Sequence, residues 1–486
     1  MHLHPYIVLA LSTGCLILAA CDATPNAGSS EADTLQADPS KPVWVEDATA
    51  VITGRLFSSS EGEVLDEGVV VLTGDRVGCA GVLDRCRWPE GTPEEAFPDH
   101  MILPGLIDLH VHARPHYAGA FLPAGVTTIR DANNTLVAVD GVRSAEDAPR
   151  VLAGGPLLDG PDAFFAQLPG TAPGHPDEVP IDEIMPIIVA SADDATSAVR
   201  ALAGEGADFI KLYEQLPVDG FRAAVDAAQE LDLPVAVDLG MAFTRGLRGA
   251  QVDIVEGAEW GATTIEHLSG LALAYQRRGG DPFAEEVDAT IIDEIAEALL
   301  ASDAAFVPTA ATALRMEDES HFLAEGLPGT EGMAALMDGQ WNMTRAFAAE
   351  QSAAAEADGR LLRALLPRLV HGGAPMGAGS DLPAAPGMYP GWGLHQELEA
   401  LVHLGMSPTE ALQAATRGAA ALLNRSDLGE LEVGARADLV VVAGDPTRDI
   451  AASRQIEAVW FGGEPVDLGR AWDRVIEAME AAAPPG

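Results

Sequence analysis

Hydrophobic and polar positions follow two different rhythms along this chain. From Val43 to about Ile102, short β-type runs such as AVITGRLF (50–57) and GVVVLTGDRVGCAG (68–81) are broken by turn residues, which predicts strands joined by tight connections. The same grammar returns near the other end in ADLVVVAGDP (437–446) and IEAVWFGGEPV (456–466), the second with a Gly-Gly hairpin signal. Between these ends the pattern alternates. Helical DDATSAVRALAGEG (193–206) runs into ADFIKLY (207–213), and DGFRAAVDAAQELD (219–232) leads to LPVAVDLG (233–240). ATTIEHL (262–268), AAFVPTA (304–310) and GAPMGAGSD (373–381) read as later strands. SPTEALQAATRGAAALL (407–423) opens with Ser407, Pro408 and Glu410, a capping box with proline in the first turn, and predicts one helix.

Helix–strand units repeating every ~25–40 residues predict an α/β chain, a (β/α)8 TIM-like barrel over 104–426. The β-type ends, 44–103 and 427–470, are expected to join in a small β-sandwich, followed by a C-terminal helix or tail over 471–486. One interval is too long for a barrel repeat. Roughly 65 residues separate FVPTA from PMGAGSD, about twice what one turn needs. They are rich in helix formers, so a helical lid is expected at about 313–365, on the face where strands end.

Composition narrows the partners. The chain carries 74 acidic and 28 basic residues, a formal charge of −46. Such a surface repels phosphates and anionic lipid headgroups, which argues against nucleic acid as a partner. Of the basic residues only Lys41 and Lys211 are lysines. Lys211 stands mid-strand in GADFIKLYEQL, where a basic group is costly to bury and where lysine, unlike arginine, can give up its proton.

The N-terminus reads as a leader. Tyr6–Ala20 is a 15-residue apolar run, short for a membrane span and suited to a signal peptide over 1–20. LAAC (18–21) resembles a bacterial lipobox in which Cys21 is lipidated, and 21–43 reads as a flexible tether. This points to a protein outside the cytoplasm, held to a bacterial membrane by lipid alone; a cleaved, soluble secreted product is the alternative. Cys79 and Cys86 are left to pair or to remain two small buried residues.

The chemistry gathers at strand ends. In PGLIDLHVHARP (104–115), His110 and His112 are one residue apart and share a face of one strand, an arrangement that suits a metal ion. Lys211 shares a face with Phe209 and Tyr213. His267 in IEHL and Asp381 in GSD end later strands.

These motifs, PGLIDLHVH, the strand lysine, IEHL and GSD in order, resemble the amidohydrolase superfamily. The similarity extends to GVTTIRD, YPGWGLHQELEALVHLGMSPTEALQAAT and LGELEVGARADLVVV. It is greatest to the branch of prolidase-like and imidazolonepropionase-like enzymes and bacterial lipoproteins. The resemblance implies that His110 and His112 bind one divalent ion, and that carbon dioxide carbamylates Lys211 into a bridge to a second held by His267. Asp381 contacts the first ion and acts as the catalytic acid–base. Zinc is the implied metal, as one or two ions, with manganese, cobalt or nickel as replacements. The fifth strand of the family normally ends in a histidine ligand; here Asp238 stands in its place, either as a ligand or as the mark of a degraded site.

Tyr213, His175 (in GTAPGHPDE) and Arg114 are expected to contact a small-molecule substrate, with Arg130 either sharing that task or forming an ion pair. His116, His321, His371, His395 and His403 read as packing or surface residues. The implied activity is hydrolysis of an amide or peptide-like C–N bond, in a dipeptide or N-acyl amino acid, by metal-activated hydroxide. Cyclic amide or lactone hydrolysis, or an impaired ligand-binding lipoprotein, are the rival readings, and assembly into a homo-oligomer stays open.

Overall fold

The computed structural model describes residues 42–167, 171–245 and 247–483. The expected signal peptide, Cys21, Lys41 and residues 484–486 of the tail lie outside them. Val43, read from sequence as the end of the tether, already belongs to a short strand and pairs with Cys86. Cys79 and Cys86 form a disulfide.

Strands from both ends of the chain share one seven-stranded mixed sheet. Its order is Glu464–Pro465, Ile456–Phe461, Leu439–Ala443, Glu94–Pro104, Ala50–Ser58, Glu63–Thr73, Arg76–Val82. The hydrophobic alternation explains its two buried faces. Ile52, Val70 and Leu72 pack with Leu439 and Val441 on one side, whereas Val51, Val69 and Val71 pack with the disulfide on the other. The hairpin between Ile456–Phe461 and Glu464–Pro465 turns on Gly462 and Gly463, both at positive φ, as its two-residue loop requires.

The middle of the chain is α/β, with every strand pairing parallel. Leu106–Val111, Val126–Asp131 and Arg150–Ala153 form one sheet. A second runs Ile187–Ile188, Leu158–Asp159, Ile210–Leu212, Val235–Val237, Thr264–Glu266, Ala305–Val307. Hydrogen bonds join these sheets at both edges. Asp208 N–H donates to Ala153 O at 2.9 Å on one side. On the other, residues 375–382 pass between Phe306 and His110: Gly377 N–H reaches Phe306 O at 2.9 Å and Asp381 N–H reaches His110 O at 2.7 Å.

That last segment, expected as a strand, is extended chain held by isolated bridges. Pro375 has no N–H to offer, and glycines weaken a ladder. Gly379 is there for closeness, since a Cβ would stand 2.8 Å from His110 Cβ. The helix expected over 407–423 is also broken. Its capping box forms, but the helix stops at Ala414 and a second spans Arg417–Leu422, with Thr416 turned out of helical geometry between them.

Helices Ala310–Glu317, Thr330–Glu350 and Ser352–His371 occupy the long interval. The C-terminal helix is Leu468–Ala482, capped by Asp467. No helix among the described residues is long and apolar enough to cross a membrane.

Candidate metal centre

Strand Leu106–Val111 builds the first part of the site by simple alternation. Ile107 and Leu109 pack against helix Arg417–Leu422, through Ala419 and Ala420, so Asp108, His110 and His112 take the opposite face. Asp108 braces the far side of the site: Ser380 donates to it from its N–H at 2.9 Å and its Oγ at 2.6 Å. This fixes the residue before Asp381. His110, His112 and Asp381 then present one ligand atom each, all within 4.8 Å of one another. Asp381 Oδ1 lies 3.2 Å from His112 Nε2 and 3.6 Å from His110 Nε2.

His267 closes the group from strand Thr264–Glu266. Its ring centre is 4.6 Å from that of His110, and its Nε2 is 3.2 Å from Asp238 Oδ2. Thr309 Oγ1 holds the other nitrogen at 2.6 Å. His267, Thr309 and Asp381 all carry positive φ without being glycine. Three left-handed backbones where three parallel segments end are strain of the kind that collects at functional sites.

The electrostatics ask for positive charge. Burial would neutralise His267, yet Asp238 and Asp381 hold it above the ordinary imidazole range. Burial and the charge of Lys211 push His110 down to about 3, so this imidazole is neutral and its Nε2 lone pair free to bind. Asp381 is buried, which raises a carboxyl, but His267, the His112 hydrogen bond and His110 hold it well below the usual range.

Lys211 and Asp238 each carry a buried polar atom without a hydrogen-bond partner. Lys211, 1% exposed, leaves Nζ unbonded, and Asp238 leaves Oδ1 unbonded. Burial, largest of the effects on it, lowers the Lys211 ammonium. A buried charge without a hydrogen bond is expensive. Three imidazoles, two carboxylates and an amine with spare donor capacity fit a divalent cation.

The family model described as "Amidohydrolase family" matches residues 101–466. This chain belongs to the amidohydrolase family. Two solved structures illustrate the shared fold of this amidohydrolase. One, a Xaa-Pro dipeptidase with bound methionine, superposes with a TM-score of 0.62 at 20% identity, covering 86% of this chain and 99% of the other. The second, a prolidase complexed with N-methylphosphonate-L-proline, gives 0.62 at 22% identity over 86% and 99%. An imidazolonepropionase of Streptomyces griseus is 43% identical over 67 residues, 13% of this chain and 17% of that protein. The amidohydrolase thus matches less than a fifth of that curated relative.

Beside these side chains the amidohydrolase has a cavity of about 550 Å³. His112, Lys211, Asp238, His267 and Asp381 line it, and so do Tyr213 and Arg114. Arg114 is partly held by Asn134 Oδ1 at 2.5 Å. His175, expected at the substrate, is not among the residues that line the cavity. Its Nε2 faces Asp194 O at 3.4 Å and its Nδ1 accepts from Asp177 N–H, so the ring braces its own loop against helix Ala192–Gly204. Arg130 is structural, spent on Glu266 and on Leu109 O.

The sequence reading missed Glu266. Fully buried, it accepts from His110 Nδ1 at 2.6 Å and orients that ring. The signal was present, because Glu266 shares a strand face with Thr264, whose hydroxyl it accepts at 2.6 Å, and faces the inward Arg130.

Proposed function

We propose that this protein is a metal-dependent hydrolase of amide C–N bonds in small molecules, dipeptides or N-acyl amino acids being its substrate class. The observation that carries the reading is the convergence of His110, His112 and Asp381 beside the cavity. We read the two parallel sheets and the bridging segment 375–382 as an eight-staved TIM barrel with its accompanying β-sandwich, Arg150–Ala153 and Leu158–Asp159 being parts of one stave and Ile187–Ile188 an added edge. His110, His112 and Asp381 would hold one divalent ion, zinc by preference. Lys211, as a carbamate, with Asp238 and His267 would hold a second. When bound, such ions acidify water and polarise a carbonyl.

The remaining steps belong to the chain. His110 donates Nδ1–H to Glu266 and so keeps Nε2 aimed at the site. Asp381, ionised at neutral pH, takes a proton on Oδ2, the oxygen turned from His112, and returns it to the leaving nitrogen. Burial and the neighbouring Asp238 and Glu214 keep the Tyr213 hydroxyl protonated, so it can donate to the substrate carbonyl oxygen. Arg114, which lines the cavity and is held through Nη1 by Asn134, suits a substrate carboxylate.

Anchoring by a lipid on Cys21, outside the cytoplasm, is part of the proposal. Labelling with an alkyne fatty acid, lost in Cys21→Ser, tests it. The hydrolase reading is tested by incubating protein loaded with zinc and bicarbonate with dipeptides, acyl amino acids and lactones. Amide cleavage that disappears in Lys211→Ala and Asp381→Asn supports it. Metal binding with no cleavage of any amide would overturn it in favour of a ligand-binding protein.

A further inference from the structure

The cavity is unusually aromatic for this chain. Of 13 phenylalanines in 486 residues, Phe164, Phe165, Phe243 and Phe347 all line it. They come from three places: the turn around Phe165–Gln167, the short helix Ala242–Arg245, and helix Thr330–Glu350. Together with Tyr213 they form a continuous run of rings. Tyr213 lies 5.2 Å from Phe165, Phe165 5.5 Å from Phe164, Phe164 6.4 Å from Phe347, and Phe347 5.1 Å from Phe243. The interplanar angles are 52° to 83°, so the rings meet edge to face and tilted.

These are not core phenylalanines. Phe57, Phe121, Phe221 and Phe306 are all at most 1% exposed, whereas the four cavity rings are only half-buried. Burial in the fold therefore does not account for them, and apolar faces left open to a cavity await an apolar partner. The wall is also held in place. Asp358, on helix Ser352–His371, accepts from Phe243 N–H at 2.8 Å and Ala242 N–H at 3.2 Å. This pins the Phe243 turn to the helices above the cavity. A wall fixed in advance loses little freedom when a ligand arrives.

From this we infer that the cavity selects amides bearing an uncharged aromatic group, seated among Phe164, Phe243 and Phe347 with the amide toward Tyr213 and Lys211. The inference rests on the hydrolase reading for the bond cleaved, but not for the group recognised. Tilted and edge-to-face rings favour an aromatic guest over an alkyl chain of equal carbon count.

The test uses the full metal-loaded chain with three substrates: N-phenylacetyl-alanine, N-octanoyl-alanine and N-acetyl-alanine. Binding of 2-phenylethanol, which has no amide to cleave, is followed by calorimetry. The expected result is a kcat/KM about tenfold higher for the phenylacetyl compound than for either other. Phe243→Ala and Phe347→Ala, each checked for folding by circular dichroism, should both shrink that ratio and weaken 2-phenylethanol binding. Equal rates for the three substrates, or a ratio unmoved in both variants, would overturn the inference and leave the hydrolase reading standing. Phenylalanine-dependent binding of 2-phenylethanol with no cleavage of any amide would do the reverse. Neither binding nor cleavage would overturn both.

Discussion

Arg130 Nη2 lies 2.7 Å from each carboxylate oxygen of Glu266, and Glu266 in turn accepts from His110 Nδ1 at 2.6 Å. Burial alone would raise the Glu266 carboxyl, but Arg130 and the His110 hydrogen bond hold it well below its usual range. The pair thus orients His110, a ligand in the proposed metal site, from behind. Glu266→Gln is expected to cost 10–100-fold in divalent metal affinity, the usual order for a lost outer partner of a ligating histidine. Chelator competition measures it. The same variant leaves the Arg130 charge buried and unpaired, so stability should also fall by about 3–5 kcal/mol, which urea unfolding would register.

Lys211 sets up the opposite expectation. Its Nζ is buried and unbonded, so an isosteric apolar chain should suit the metal-free fold better. Lys211→Met is expected to stabilise metal-free protein by about 1–4 kcal/mol while removing the response to zinc and bicarbonate. A lower melting temperature for this variant without metal would show that the amine has a partner in the fold.

As a ligand in the proposed site, Asp238 would bias which metal is preferred. Carboxylate ligands suit manganese and imidazole suits zinc. Asp238→His should therefore raise the zinc-to-manganese affinity ratio by on the order of tenfold, read by competition between the two ions. An unchanged ratio would remove Asp238 from the ligand set.

Asp358 carries a pH signature. Burial pushes its carboxyl up to about 6, against the pull of the Phe243 and Ala242 N–H groups. The folded chain thus holds a proton that the unfolded chain has released between pH ~4 and 6. Stability from this group is greatest below that window and is lost as pH rises through it, by about 3 kcal/mol. Asp358→Asn keeps an acceptor oxygen and cannot titrate. Comparing urea midpoints at pH 4.5 and 7, the wild type should lose more stability than the variant.

Much of this site was legible because strand alternation is a strict rule. His110 with His112, and Lys211 with Tyr213, were placed on common faces by counting residues, and both pairs sit at the site. What escaped depends on partners far along the chain. Glu266 is an ordinary glutamate until Arg130, 136 positions away, is folded against it. His175 lies off the cavity lining for the converse reason, since a glycine-rich loop carries no periodicity to fix where its ring points. The segment 373–381 reads as a strand, but only isolated bridges form along it. Its glycines, which let Asp381 approach His110, also thin the backbone ladder that would make it a regular strand.

The long sheet has a consequence for how the molecule is made. Strand Glu94–Pro104 leads, after Gly105, into Leu106–Val111, which carries His110 and ends one residue before His112, and in its own sheet it lies between Ala50–Ser58 and Leu439–Ala443. On the ribosome, those histidines are among the early residues to emerge, yet the strand that braces their base is synthesised some three hundred residues later. Contacts so distant in sequence form slowly. A nascent chain stalled before Leu439 would still have Val126–Asp131 and segment 375–382 to pair with Leu106–Val111, but would leave Glu94–Pro104, which leads into that strand, without one of its two neighbours.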